Sequence, residues 1–448
     1  MTRRESPDDF LVLPDDKGLR LPEPVSVGTL RHQLHTAPQP VTADLFAWPL
    51  LALDDDALAH NIATLADFCT ERGFRHAPHV KTPMSPQIWA RQAAAGAWAA
   101  TLAAPHQLRT AIRWGAKRVL LANELVDPRE AAWLRAALAR DAELDVWVQV
   151  DSPEAVALLA AYFGDPVAGA VRARLHVLIE YGVADGRTGV RTTAEALALA
   201  RSVADAGLTL GGVTGYEGPV AGGTSPAELA AVAAWCRELG EVSQTLRGAA
   251  AEADLWILSV GGSAYLDIVA TTFAPLTGPR PLGDTVIVIR AGAYVTHDHV
   301  HYADLDPWSR LPGGRALRPA ITIWSPVLSV PQPGLALLGV GRRDVSFDLD
   351  LPQPLWHRDG PLRAGREPGT PPAYGPRVPF APGTATIDAL NDQHAFLRGV
   401  DGLRPGDLVG LGISHPCTAL DRWRVAAVTR DDPATGETIV HDLYTLEF

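Results

Sequence analysis

The chain has 448 residues, 47% of them hydrophobic, and a formal net charge of −12. It can bury a large core, and its acidity argues against the basic face that nucleic acid or an anionic membrane surface needs. Cys69, Cys236 and Cys417 are far apart and odd in number, which is no disulfide framework and points to a reducing cytoplasm.

The start, MTRRESPDDFLVLPDD, lacks a signal-peptide core, and no run reaches the roughly 18 apolar residues of a membrane helix. From about residue 48 short apolar runs alternate with Ala/Leu/Arg-rich helical stretches. Strands are expected near 49–53, 76–80, 98–102, 118–123, 144–150, 174–181, 209–216 and 256–261. PREAAWLRAALARD (128–141) reads as a helix with proline near its start, and TTAEALALARSVADAG (192–207) as one closed by Gly207. Strand–helix alternation predicts parallel βα units, and eight of them predict a (β/α)8 barrel over residues 45–285.

From 286 to 448 the texture becomes β-rich, as in TVIVIRAGAYVTH, PAITIWSPVLSV and DLVGLGI. This predicts a second, β-rich C-terminal domain. Residues 352–384 are crowded with Pro, Gly and Arg and read as an irregular, partly mobile surface excursion.

Catalytic groups of such barrels sit at the C-terminal ends of strands. Lys81, in HAPHVKTPMSP (76–86), falls just past a strand; an amine in a half-buried pocket loses proton affinity and becomes a nucleophile and base. SVGGSAYLD (259–267) offers Gly261 and Gly262 for close backbone approach to an anion, with the Ser263 hydroxyl beside them. GRTGV (186–190) presents Arg187 and GYEG (215–218) presents Tyr216, both after strands. In GISHPCTALDRW (412–423), His415 and Cys417 lie two apart in a β-like run, so both would share one face. Thiolate and imidazole suit Zn²⁺, although a closed structural site wants four ligands. A competing cluster is THDHVHY (296–302): either His297, His299 and His301 make a metal set, or Asp298 and His299 line a cofactor mouth and His301 is structural. His394 in NDQHAF (391–396) is a further polar residue of that region.

The order PHVKT, GRTGV, GYEG, VGGSAY, AGAYVTHDH, GISHPC resembles the fold-type III pyridoxal-phosphate enzymes. Among them it is most similar to the D-serine dehydratase and D-threonine aldolase family, over about residues 45–448. The resemblance implies an alanine-racemase-like barrel followed by a β domain on which residues 1–44 pack, a homodimer, and a small amino acid as substrate. It implies Lys81 as the residue that binds the pyridoxal 5'-phosphate aldehyde. Gly261, Gly262 and Ser263 would hold the phosphate with Tyr216 and Tyr294 nearby, and Arg187 would face the pyridine nitrogen. His415 and Cys417 would hold a divalent metal, with Cys rather than Asp favouring the dehydratase over the aldolase. The chain departs from the family where Ala77, Pro83 and Met84 flank PHVKT and where Pro219 replaces a histidine.

The expected reaction is therefore loss of the β-hydroxyl from a D-3-hydroxy amino acid such as D-serine, giving a 2-oxo acid and ammonia. Lys81 would take the Cα proton, and the metal would act on the β-oxygen as a Lewis acid. Retro-aldol cleavage, racemisation, a non-catalytic pyridoxal-phosphate carrier and a metal-dependent barrel hydrolase are the alternatives.

Overall fold

The computed structural model describes residues 6–164, 169–249, 255–277, 285–311, 313, 315–361 and 374–448. Eight parallel strands form one sheet: Arg75–His76, Ala100–Leu102, Arg118–Glu124, Asp145–Val150, Leu175–Tyr181, Thr209–Gly215, Trp256–Val260 and Thr285–Ile289. The last pairs with the first through Val288–Arg75 and Ile289–His76. A parallel bridge between His79 and Thr101 joins the first strand to the second, so the sheet curls back on itself as a barrel. Helices cover its outside, and their starts are written locally. Thr192 and Glu195 form a reciprocal capping box for Thr193–Asp205, and Asp127 caps the proline-started helix Pro128–Arg140.

The barrel interior has two levels. Seven strands, or the residues directly flanking them, each contribute one buried apolar side chain to a single cluster: Ala77, Ala99, Leu120, Trp147, Leu178, Ile257 and Val288. In the remaining strand Gly212 pairs with Leu178 on one side and Ile257 on the other. Neighbouring Gly211 carries no side chain because a Cβ there would stand 2.8 Å from His176 Cβ. Strand side chains alternate with period two, so the next inward level lies two residues on: His79, Thr101, Ala122, Gln149, Glu180, Thr214, Ser259 and Arg290. The floor is hydrocarbon and the mouth is polar.

The strand assignment differs from the sequence reading at both ends. Leu50–Asp54, expected to open the barrel, lies instead in an 11-stranded sheet. It runs antiparallel to Ile321–Gln332 and parallel to Val425–Asp431. Thr285–Ile289, read as the start of the β-rich region, is the eighth barrel strand. Both are apolar runs buried on both faces, a pattern that periodicity alone cannot allocate. The described residues before 50 lie against the same β sheet. Val12, Val27, Leu30, Leu34 and Val41 share a core with Trp324, Trp356, Val440 and Leu443, and Arg31 donates to both Asp442 oxygens at 2.8 and 3.1 Å. In the Pro/Gly/Arg-rich stretch, Gln353–Arg358 and Val378–Pro379 are paired strands at the sheet edge; its residues 362–373 lie outside the described residues. Among the described residues no helix is long and apolar enough to cross a membrane.

Candidate active site

The chain leaves the first barrel strand at His76, stays extended to His79, and turns, leaving Lys81 half-buried at the mouth. Lys81 faces a cavity of about 560 Å³, where its amine has neither hydrogen bond nor ion pair among the described residues. Arg187, Tyr216, Gly261, Gly262, Ser263, His415 and Cys417 line the same cavity. The β sheet thus delivers the last two to a mouth built by the barrel.

His79, two residues before Lys81, was given no role by the sequence reading. Burial holds its imidazole well below the usual histidine range, and the Lys81 and Arg290 charges push the same way. Neutral, it donates from Nδ1 to the Thr101 carbonyl (3.1 Å), since a carbonyl can only accept. Arg187 sits on the exposed loop after Leu175–Tyr181, its guanidinium 5.0 Å above the Tyr216 ring. Burial pushes the Tyr216 hydroxyl up to about 12.

Gly261 and Gly262 behave differently from the phosphate cradle expected of them. Their amides donate to the wholly buried Glu217 carboxylate, at 3.2 and 2.6 Å. Burial raises the Glu217 proton affinity, and these amide bonds oppose it. Gly262 must stay a glycine here, because a Cβ would come within 2.7 Å of Tyr216 Cε2. Of the three expected phosphate contacts, the Ser263 hydroxyl is the one not shared with Glu217.

Tyr294, expected beside the phosphate, does not line the cavity. Ala293–Val295 forms a single 3-10 turn, which shows Ala293 to the cavity and drives Tyr294 into the core. Its hydroxyl accepts from Gln92 Nε2 at 2.9 Å and its ring meets His76 edge-on. Tyr302 is the second tyrosine that lines the cavity, beside His301. The expected roles around 297–301 are therefore exchanged: His301 lines the cavity, whereas Asp298 and His299 do not. His299 packs against Gly412, where a Cβ would lie 2.5 Å from its ring. Asp298 accepts from the Val300 and Tyr302 amides, each at 3.0 Å.

His415 and Cys417 are not on a strand. His415 stands at the N-cap position of the short helix Pro416–Leu420 without a capping side-chain hydrogen bond, and Cys417 lies in its first turn, so the strand argument for a shared face does not apply. They nevertheless meet. Cys417 Sγ lies 3.2 Å from Thr82 Oγ1. His415 Nδ1 lies 2.6 Å from Asp348 Oδ2, and Thr418 Oγ1 donates to Asp348 Oδ1 at 2.6 Å. Burial alone would lower the His415 proton affinity. The hydrogen bonds to Cys417 and Asp348 outweigh it and push the imidazole up to about 9. Among the described residues no group of three or more His, Cys, Asp or Glu side chains is arranged to hold a metal, the 297–301 histidines included. A His415–Cys417 centre would leave its other positions to substrate or water. The donor pair suits that chemistry, with Asp348 fixing the imidazole in the way carboxylates orient metal-bound histidines.

At the polar level several buried atoms lack a partner: Gln149 Oε1, Glu180 Oε2, Thr214 Oγ1, Ser259 Oγ and Arg290 Nε. Natural interiors rarely tolerate such orphans. Gln149, Glu180 and Arg290 among them line the cavity that holds the unpaired Lys81 amine, which fits a polar, aldehyde-bearing group such as pyridoxal phosphate. Arg290, Glu180, Gln149 and Glu217 were all missed by the sequence reading. Four residues of this level stand two positions after an apolar floor residue inside quotable strand strings, WVQV, LIEY, ILSV and IVIR, which is the signal that could have found them.

Two domain families match the chain: an alanine racemase N-terminal domain at residues 53–266 and a putative serine dehydratase domain at residues 320–429. D-threonine aldolase of an Arthrobacter species is 25% identical over 88% of this chain and 87% of its own length. D-threo-3-hydroxyaspartate dehydratase of a Delftia species is 31% identical over 56% of this chain and 62% of its own length. The fold is shared with the solved structure of D-threonine aldolase from Filomicrobium marinum. That match has a TM-score of 0.70 and 22% identity, over 91% of this chain and 97% of the other.

Proposed function

We propose that this chain, a fold-type III protein that joins an alanine racemase N-terminal domain to a putative serine dehydratase domain, is a pyridoxal-phosphate-dependent lyase. Its substrates are D-3-hydroxy amino acids; water is eliminated, and hydrolysis then gives a 2-oxo acid and ammonia. The observation that carries this reading is the meeting of an unpaired Lys81 amine with the His415–Cys417 pair across one cavity.

Bound there, the cofactor supplies an aldehyde for amines and a ring that draws electrons from Cα. Lys81 would hold it covalently, with Ser263 on its phosphate side and Arg187, seated on Tyr216, on its ring side. An arginine does not readily give a proton to a ring nitrogen, which favours prompt loss of the β-substituent over a long-lived carbanion. The Lys81 amine, relieved of other partners, can take the Cα proton. His79, neutral and fixed through Nδ1, keeps a second positive charge away from that amine. His415 and Cys417 would hold a divalent metal, zinc by donor type, whose Lewis acidity lowers the barrier to losing the β-hydroxyl.

Retro-aldol cleavage is the second reading, favoured by the match to D-threonine aldolase across 88% of the chain. A cytoplasmic homodimer is part of the proposal and rests on the family resemblance. The test is a panel of D- and L-3-hydroxy amino acids given to cofactor-loaded protein with and without zinc. D-serine yielding pyruvate and ammonia, lost on chelation, is the expected result. Glycine and an aldehyde from D-threonine would select the second reading. Neither product from any member of the panel, with the cofactor bound, removes both.

A further inference from the structure

The turn from Gly261 to Tyr265 leaves the seventh barrel strand, Trp256–Val260, and feeds the helix Leu266–Phe273. Four of its five residues are tied down. The Gly261 amide donates to Glu217 Oε2 at 3.2 Å and the Gly262 amide to Glu217 Oε1 at 2.6 Å. Arg310 Nη2 donates to the Ala264 carbonyl at 2.6 Å, and the same guanidinium grips the Asp267 carboxylate through Nε and Nη2 at 2.8 and 2.7 Å. The Tyr265 hydroxyl is shared between the Ala221 and Gly223 carbonyls at 3.0 and 2.9 Å. Ser263, in the middle, makes no hydrogen bond among the described residues, and it lines the cavity that holds Lys81.

Glu217 is the anchor of this turn that comes from the neighbouring strand end. It stands two residues after Thr209–Gly215 and is wholly buried. Each of its oxygens takes one of two consecutive glycine amides, which is how a glycine-rich turn holds a phosphate. Hydrogen bonds to an ionised acceptor are short and strong, and an N–H aimed at a buried carboxylate is not aimed at a ligand in the cavity. The protein thus fills its own anion-binding turn from the inside and leaves the next residue, Ser263, free at the cavity wall.

We propose that Glu217 is a positioning residue for the cofactor phosphate: it fixes Gly261 and Gly262 from the protein side, so that the turn offers Ser263 to the phosphate while the two glycine amides take no part in binding it. The inference rests on the pyridoxal-phosphate reading above and deepens it. Glu217 touches no ligand itself. Loosening either of its two bonds frees the turn that carries Ser263, so the cost falls on the phosphate contact and not on the aldehyde, which belongs to Lys81.

Pyridoxal and pyridoxal 5'-phosphate carry the same aldehyde and differ in the phosphate. The ratio of their dissociation constants, read from the visible band as each is added to cofactor-free protein, therefore isolates the phosphate contact. The parent should prefer the phosphorylated form. Glu217→Gln keeps the side chain's shape but sets an NH2 group against one of the two amides. It should weaken pyridoxal 5'-phosphate about 10–100-fold and leave pyridoxal unchanged, and Ser263→Ala should lower the same ratio. An unchanged ratio in Glu217→Gln overturns the proposal, as does equal weakening of both aldehydes, the mark of a merely structural role. Tighter binding of pyridoxal 5'-phosphate by Glu217→Gln overturns it too, since the freed glycine amides would then be the phosphate donors. Should Glu217→Gln not fold, amide hydrogen exchange in the cofactor-free parent decides. The Gly261 and Gly262 amides should be protected well beyond that of Ser263, and equal exchange of the three overturns the proposal. A parent that takes up neither aldehyde undoes the proposed function, and the exchange measurement still tells whether Glu217 holds the turn.

Discussion

Two levels of the same barrel interior, one strand period apart, do opposite work. The floor of Ala77, Ala99, Leu120, Trp147, Leu178, Ile257 and Val288 is fully buried and apolar; it contributes stability through burial and close packing. The mouth two residues on holds Gln149, Glu180, Thr214, Ser259 and Arg290, each with an unpartnered buried atom, and such atoms cost stability. The fold places its cost at the mouth. Strand geometry keeps the two levels in fixed register, each mouth residue standing two positions after a floor residue.

Substitutions can break this contrast. The largest effect is expected from Lys81→Ala, which should reduce lyase turnover by at least about 10²–10⁴-fold while leaving the denaturant midpoint near that of the parent. Trp147→Ala, in the floor, should do the reverse. Removing its indole should cost about 3–5 kcal/mol in chemical denaturation, with the cofactor spectrum of the remaining folded protein unchanged. Glu124→Gln tests the mouth through pH. The folded protein keeps a proton on Glu124 up to about 8, whereas the unfolded chain releases it near 4.5. Parent stability should therefore fall as pH rises through that window, and the variant's melting temperature should fall less. The smallest effect belongs to Thr214→Val. Exchanging the orphaned hydroxyl for a methyl should change stability by no more than about 1 kcal/mol, in the favourable direction. A loss of several kcal/mol would mean that the Thr214 hydroxyl is not an orphan in solution.

Much of the site was legible because loops at strand ends carry their own chemistry. PHVKT, GRTGV, GYEG and VGGS each pointed to residues that now share a cavity. Legibility failed where destination depends on tertiary pairing. Leu50–Asp54 runs into the helix Asp55–Glu71 and so reads as a βα unit, while Thr285–Ile289 runs into a 3-10 turn and so reads as β domain. Their true sheets are set by partners far along the chain. Tyr294 failed for a similar reason, since one turn of 3-10 helix decides which of two adjacent side chains faces the cavity. Asp348 carried no motif at all; it matters because folding lays its carboxylate 2.6 Å from His415.

The placement of Leu50–Asp54 between Ile321–Gln332 and Val425–Asp431 bears on how the molecule is made. During synthesis this segment emerges early, yet both of its sheet neighbours are translated only after the whole barrel. Until then its edges stay open, and the barrel itself is the loop that must close before they pair. A nascent chain halted after the barrel would carry an exposed apolar strand, and a truncation that discards the last quarter of the protein would damage its beginning.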